Sequence, residues 1–152
     1  MPKYVELFTD GACKGNPGVG GWGALMRFGE TEKRLFGAEA ETTNNRMELM
    51  AVIAALEALK NSGTEVIVYS DSKYVVDSVE KKWVFGWQKK GFKGKKNIDL
   101  WKRFLLVYPK HNVKFVWVKG HAGNFYNERC DELAVQAAEG GGLLPDVGYE
   151  NA

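Results

Sequence analysis

The sequence predicts an α/β fold, a mixed sheet covered by helices, and three observations carry that prediction. The opening 40 residues alternate with the period of strands. From residue 46 onward, segments of helical period alternate with short β-branched runs. Strands first and helix–strand alternation second is the pattern of a sheet with both antiparallel and parallel neighbours. The third observation is size, since 152 residues at 17.0 kDa lie close to the commonest domain length. A chain this long buries about 70% of its unfolded surface, enough for one core.

In residues 3–9, Val5, Leu7 and Thr9 fall on one side and Tyr4, Glu6 and Phe8 on the other, which is strand periodicity. Residues 11–21, glycine-rich around Asn16-Pro17-Gly18, read as a turn. A second strand carries Trp22, Ala24, Met26 and Phe28 on one side. After a short loop at 29–31, residues 33–40 read as a third strand, completing an antiparallel meander. Between 46 and 60, Leu49, Val52, Ile53, Leu56 and Leu59 recur at helical spacing, and Asn61-Ser62-Gly63 stops the helix. Residues 66–69 read as a buried strand. Val75, Val76, Val79 and Trp83 fit one helix, residues 100–107 another, 113–118 a strand and 127–139 a closing helix. One domain is thus expected over 1–139, followed by a loose tail at 140–152 that begins with three consecutive glycines.

A composition of 45% hydrophobic and 26% charged residues excludes collagen-like, disordered and disulfide-scaffold classes. No apolar stretch approaches the roughly 20 residues of a bilayer span. The N-terminus has a charge inside its first apolar run and no small-residue cleavage site, so a cytoplasmic protein without a membrane partner is expected. Cys13 and Cys130 are too few for a secreted framework and lack zinc spacing, which predicts reduced thiols. The formal charge of +2 hides an asymmetry. Residues 81–103 hold nine of the 21 basic residues and a single acid, Asp99, a balance of +8; the remainder has 12 basic residues against 18 acids, a balance of −6. A basic patch on an acidic body suits a polyanion held beside a carboxylate site.

Gly18, Gly20 and Gly23 match the G-x-G-x-x-G spacing of a dinucleotide-binding turn, but that turn must open a helix and here a strand follows. The glycines are assigned to a turn instead. Four acids stand at the edges of regular elements: Asp10 at the end of the first strand, Glu48 early in the first helix, Asp71 just after 66–70, and Asp131 early in the last helix. Each has a plain alternative. Glu48 completes a capping box with Asn45, Asp71 is placed to cap the next helix, Asp131 complements a helix dipole, and Asp10 precedes a turn glycine. Taken together they suggest more. If the strands of Asp10 and Asp71 are neighbours, both carboxylates emerge at one sheet edge, and the natural compensation for their repulsion is a hard divalent cation.

Phe8-Thr9-Asp10-Gly11, Gly15-Asn16-Pro17-Gly18, Thr43-Asn44-Asn45-Arg46-Met47-Glu48-Leu49, Asp71-Ser72, Val118-Lys119-Gly120-His121-Ala122-Gly123 and Asn127-Glu128-Arg129-Cys130-Asp131-Glu132-Leu133-Ala134 occur in that order. With these motifs the chain resembles type 1 ribonuclease H, in its bacterial form, from the first strand to the last helix. The resemblance implies a ribonuclease H-like fold with a five-stranded mixed sheet, three antiparallel strands and then parallel ones, flanked by helices. It implies a metal site of Asp10, Glu48, Asp71 and Asp131 for two Mg²⁺ ions, with Mn²⁺ able to substitute. It also implies a monomer that cuts the RNA strand of RNA–DNA hybrids and leaves 5′-phosphate and 3′-hydroxyl ends. A noncatalytic hybrid-binding module, the competing class, would not need four intact acids.

The same resemblance gives His121 a role in proton shuttling or product release, for which an imidazole titrating near neutrality is suited. Asn16, Asn44 and Asn45 both donate and accept hydrogen bonds and so match minor-groove edges and 2′-hydroxyls. Cys13, in the same turn as Asn16, is placed to touch the substrate, whereas Cys130 reads as a small buried residue. Ser72 stands where many bacterial members carry glutamine; serine is shorter, so a side-chain contact there is expected to be lost or bridged by water. Asn124-Phe125-Tyr126 also departs from the family's usual polar or proline-containing loop. Lys89, Lys90, Lys95 and Lys96 belong to the basic window, which resembles the handle that grips the DNA strand, while Trp83 and Trp87, four residues apart, are expected to pack inward.

Overall fold

The computed structural model describes residues 4–15, 17–119 and 125–140. Strands β1 (Val5–Gly15), β2 (Gly18–Phe28) and β3 (Thr31–Thr42) form an antiparallel meander. There follow α1 (Asn44–Glu57), β4 (Glu65–Ser70), α2 (Lys73–Glu80), α3 (Trp83–Lys89), α4 (Ile98–Val107), a 3-10 turn (Tyr108–Lys110), β5 (Asn112–Trp117) and α5 (Phe125–Glu139). The five strands lie in the order β3-β2-β1-β4-β5, with β4 parallel to both β1 and β5. No helix among the described residues is long and apolar enough to cross a membrane.

Both faces of the sheet are covered. Leu7 and Ala24 join Leu49, Ile53 and Val52 of α1, Val75 and Val79 of α2, and Trp101 and Phe104 of α4 in the main core. Phe8 and Leu25, one residue on along their strands and so on the opposite face, pack against Cys130 of α5. Cys130 is therefore the small buried residue expected. Trp101 stands edge-on to Phe104 at 5.5 Å and to Trp87 at 6.0 Å, tying α3 and α4 together. On the sheet's outer side, Glu80 of α2 accepts the Phe115 N–H at 3.2 Å, which occupies a backbone donor of the edge strand β5.

Four expectations are corrected. The glycine-rich stretch 11–21 is mostly ladder, not turn: Gly11 pairs with Trp22 and Cys13 with Gly20, leaving only the link between Gly15 and Gly18 as the turn. Gly11 and Gly21 of that stretch, and Gly23 beyond it, answer to helix packing. A Cβ on Gly11 would stand 2.5 Å from the Glu48 backbone N, and one on Gly23 would stand 2.6 Å from the Cys130 carbonyl, so glycine lets α1 and α5 press onto opposite faces. The helix expected over 75–83 breaks at Lys82, which takes a left-handed φ of 66°. In consequence Val84 enters the core and Trp83 stays 47% exposed, with the Lys81 ammonium 5.3 Å from its ring; Trp87 does pack inward. Finally α1 ends at Glu57 rather than 60, although Leu59 still packs against the core.

Gly23→Ala should cost about 1–3 kcal/mol of stability, because neither the Cys130 carbonyl nor the strand can yield without opening the α5 face. Urea unfolding of the two proteins measures this. Equal midpoints would mean that α5 does not press on Gly23.

Candidate active site

In the ladder between β1 and β4, Phe8 lies opposite Tyr69. Asp10 comes two residues after the first and Asp71 two residues after the second, so both carboxylates emerge at one level at the carboxyl ends of neighbouring parallel strands. Glu48 reaches them from α1. One carboxyl oxygen from each of the three lies within 4.8 Å of the others. Asp10 is 2% exposed and Glu48 4%.

Local contacts explain why these acids are not doing ordinary work. The cap of α1 is Thr43, whose hydroxyl accepts the Arg46 N–H at 3.3 Å, and not the Asn45–Glu48 box. Glu48 Oε1 instead accepts the Gly11 N–H at 3.0 Å, across the contact that the missing Cβ permits. The cap of α2 is Ser72, whose hydroxyl accepts the Val75 N–H at 3.2 Å, and not Asp71. Asp10 sits inside the ladder, paired with Gly23, and not in a turn. The plain readings of these three residues therefore fail.

The three acids line an open cleft of about 360 Å³ together with Gly11, Asn44, Asn45, Ser72, Lys73 and Tyr74. Asn44, Asn45 and Ser72 thus share one cleft with the acids. Asp131 is half-buried on α5 and lies outside the group of three whose oxygens fall within 4.8 Å. Cys13 is half-buried on β1, its thiol donating to the carbonyls of Gly18 at 3.5 Å and Thr42 at 3.4 Å, and it is not among the described residues lining the cleft. Burial pushes that thiol up from its ordinary pKa. Asn16 and His121 lie outside the described residues, as does Asn124.

Lys89, Lys90, Lys95 and Lys96 are all exposed. Lys90 and Lys95 share a second cleft of about 370 Å³ with Lys82, Lys93, Trp83 and Trp87, where the Lys95 ammonium lies 5.1 Å from the Trp87 ring. The basic window thus carries an aromatic floor beneath some of its lysines.

Two positioning residues were not singled out from sequence. Asn127, 1% exposed, donates from Nδ2 to the carbonyls of Thr9 at 3.3 Å and Tyr69 at 3.1 Å, clasping β1 and β4 immediately before their acids. A polar residue in the first turn of a helix ordinarily reads as part of a cap, which hides this role. Trp117 donates its indole N–H to the Asp71 carbonyl at 3.2 Å, and the Lys73 ammonium stands 4.6 Å from its ring. Only its place at the end of β5 would have pointed to it.

Electrostatics and donor chemistry both suit a hard cation. Burial holds the Glu48 carboxyl well above its ordinary pKa; the Asp10 and Asp71 charges push it further and the Gly11 N–H opposes them. Glu48 Oε2 is buried and receives no hydrogen bond. An all-oxygen donor set with excess negative charge fits Mg²⁺ or a similar ion.

Because folded Glu48 keeps its proton at pH values where the unfolded chain has lost it, stability of the metal-free protein should fall as pH rises above the ordinary value of 4.5 towards the raised one. Glu48→Gln should flatten that fall. Thermal melts in chelator between roughly pH 5 and 8 measure both curves, and parallel declines would assign the slope to other groups.

The model of the RNase H family matches residues 2–139. Ribonuclease H of Novosphingobium aromaticivorans is 60% identical over 141 residues, covering 90% of this chain and 97% of that protein. Ribonuclease H of Agrobacterium fabrum is 57% identical over 142 residues, covering 90% and 96%. Among solved structures, LC9-RNase H1, a type 1 RNase H with the type 2 active-site motif, superposes with a TM-score of 0.82 at 35% identity, covering 99% of this chain and 81% of that one. The N-terminal RNase H domain of rv2228c from Mycobacterium tuberculosis does so with a TM-score of 0.73 at 26% identity, covering 97% of each. With a family match over nearly its whole length and such relatives beside the same sheet and acids, the chain belongs to the RNase H family.

Proposed function

We propose that this protein hydrolyses phosphodiester bonds in the RNA strand of RNA–DNA hybrids, leaving 5′-phosphate and 3′-hydroxyl ends. The observation that carries this reading is the cluster of Asp10, Glu48 and Asp71 in one cleft with Asn44 and Asn45, in a chain of the RNase H family. Asp10, Glu48, Asp71 and Asp131 are the proposed ligands of two Mg²⁺ ions, which Mn²⁺ can replace. When bound at such carboxylates, divalent ions generate a nucleophile from water and stabilise the leaving oxygen.

The other residues bind and orient. Asn44 and Asn45, exposed at the start of α1 beside the acids, can both donate to and accept from a 2′-hydroxyl, the group that separates RNA from DNA. Ser72 accepts one backbone N–H and still has its own O–H to direct into the cleft. Asn16 is assigned to hybrid contact, and Cys13, whose thiol is turned to backbone carbonyls, contributes contact rather than a donor. His121 moves a proton or helps product leave. Lys89, Lys90, Lys95 and Lys96 hold phosphates of the DNA strand. The unit doing this is residues 1–139 with the basic segment 81–103 as its handle, acting as a monomer in the cytoplasm.

Asp10→Asn should abolish cleavage of a labelled hybrid in Mg²⁺ while stabilising the metal-free fold, since it removes one charge from a repelling cluster. The melting temperature in chelator should rise by about 2–4 °C for each kcal/mol of repulsion relieved. Normal cleavage by this variant would sink the site assignment. Wild-type cleavage of duplex DNA, duplex RNA and single-stranded RNA as fast as the hybrid would leave a general metal nuclease.

Neutralising Lys89, Lys90, Lys95 and Lys96 together should weaken hybrid binding at low salt and leave the chemistry in place. Each lost phosphate contact should flatten the slope of log affinity against log salt by about 0.9, if the hybrid behaves as B-form DNA does. An unchanged slope would show that the segment does not touch the duplex.

A further inference from the structure

The helices flanking the acid cleft and the end of the basic segment meet at one polar junction. Arg46, two residues before Glu48 on α1, is 2% exposed. Its guanidinium donates to both carboxylate oxygens of Asp99, at 2.9 and 2.7 Å, and to Asn97 Oδ1 at 3.4 Å. Asn97 Nδ2 donates to the Tyr74 hydroxyl at 3.1 Å, and the Trp101 indole N–H donates to the same oxygen at 2.8 Å. Tyr74 stands three residues after Asp71 and lines the acid cleft.

Two details set this junction apart from a surface ion pair. Asn97 precedes α4, where an asparagine ordinarily caps the helix, yet its side chain makes no cap bond and its backbone is left-handed, with φ 60°. It is committed to Arg46 and Tyr74 instead. Asp99 is the only acid in the +8 window, and its carboxylate is directed at Arg46 of α1. Elsewhere the basic segment changes direction repeatedly, with Lys82, Gly91, Phe92 and Gly94 all at positive φ. Val84, Phe92 and Trp87 attach it to the core by apolar contacts, which do not specify orientation as a bidentate fork does, and a second fork, Arg103 on Glu57 of α1 at 2.7 and 2.5 Å, is solvent-exposed where Arg46 is buried.

We propose that Arg46, Asp99, Asn97 and Tyr74 are positioning residues that lock the end of the basic segment to the two helices bearing the cleft, so that a phosphate held by the lysines and the phosphate to be cut keep a constant separation. This rests on the hybrid reading above. A duplex is a periodic row of charges, so a loosened separation leaves each site able to bind alone but spoils their joint engagement.

The test compares two hybrids, one just long enough to fill the acid cleft and one extended to reach the basic segment, in steady-state assays with wild type, Asp99→Asn, Asp99→Glu and the four-lysine variant. Wild type should gain in kcat/KM on the longer hybrid, mostly through KM. Asp99→Asn should lose about tenfold of that gain, as expected for groups that act as one network, and should cut the short hybrid at the wild-type rate. Asp99→Glu, which keeps the carboxylate, should restore most of the gain, and Asp99→Asn should add little on top of the lysine changes. Should Asp99→Asn melt below the assay temperature, Tyr74→Phe, which deletes a single oxygen of the same junction, is read on the length ratio alone. Full retention of the length gain, or equal loss on both hybrids, overturns the junction. Failure of wild type to cut either hybrid overturns the activity reading, and the junction with it.

Discussion

Three carboxyl groups brought within 4.8 Å repel one another, and two of them, Asp10 and Glu48, are almost wholly shut from water. Nothing in a chain's own interest places charges so. The cluster persists because each acid is carried by an element whose position is settled by other contacts. Asp10 and Asp71 are fixed by the parallel register of β1 and β4, and Glu48 by the seating of α1 on a glycine. Most of the architecture can be understood as what is needed to hold that arrangement when no cation compensates it.

The clasp is supplied from the opposite face. Asn127 hydrogen-bonds the carbonyls of Thr9 and Tyr69, so α5 ties the two strands at the level where their ladder ends and the acids begin. Phe8 strengthens the same point, stacked on Tyr69 at 4.9 Å and against Tyr126 at 4.8 Å, while the Cys130 thiol donates to the Phe8 carbonyl at 3.1 Å. Breaking the Asn127 bonds would remove one donor from the buried Thr9 carbonyl and one from the partly buried Tyr69 carbonyl, a cost of about 0.5–1.5 kcal/mol each. That gives the last helix a structural reason to exist apart from Asp131. The small residues Gly23 and Ala134 belong to the same device, since they let the helix come near enough for a short amide to reach.

Much of this was legible in sequence, for reasons that differ by element. The meander, the helices and the parallel strands follow from period, because one sheet face meets a helix-packed core and the pattern of Leu49, Val52, Ile53 and Leu56 is strongly helical. The acids were legible as edge residues, and their convergence follows once β1 and β4 are neighbours. What escaped is chiefly close approach. Glycines at 11, 20, 21 and 23 look like a turn because sequence shows the missing side chain and not the helix that fills its place. The break at Lys82 was hidden by apolar residues that fit one continuous helix, and left-handed lysine has no compositional signal. Asn127 and Arg46 went unassigned because their partners are 118 and 53 residues away, in carbonyls and a carboxylate that no local pattern announces.

The separation of charge in this chain is also a constraint on its interior wiring. A segment of +8 next to a body of −6 is attracted to that body as a whole, without a preferred contact. Diffuse attraction of this kind would let lysines fold back over the acid cleft, where they would compete with a cation for the same carboxylates. Two directed forks limit the ambiguity: Arg46 of the body grips Asp99 of the segment, the reverse of the overall charge on each side, and Arg103 at the segment's end grips Glu57 of α1. The bidentate geometry favours one approach and so orients the segment; with Arg46 buried but the Asp99 side chain 46% exposed, salt screens the pairing less than it screens the exposed lysines. Raising ionic strength should therefore release a polyanion from the segment well before it disturbs the junction that aims the segment. On the proposed reading, in which the lysines hold the hybrid, affinity and site geometry rest on contacts that salt screens to different degrees.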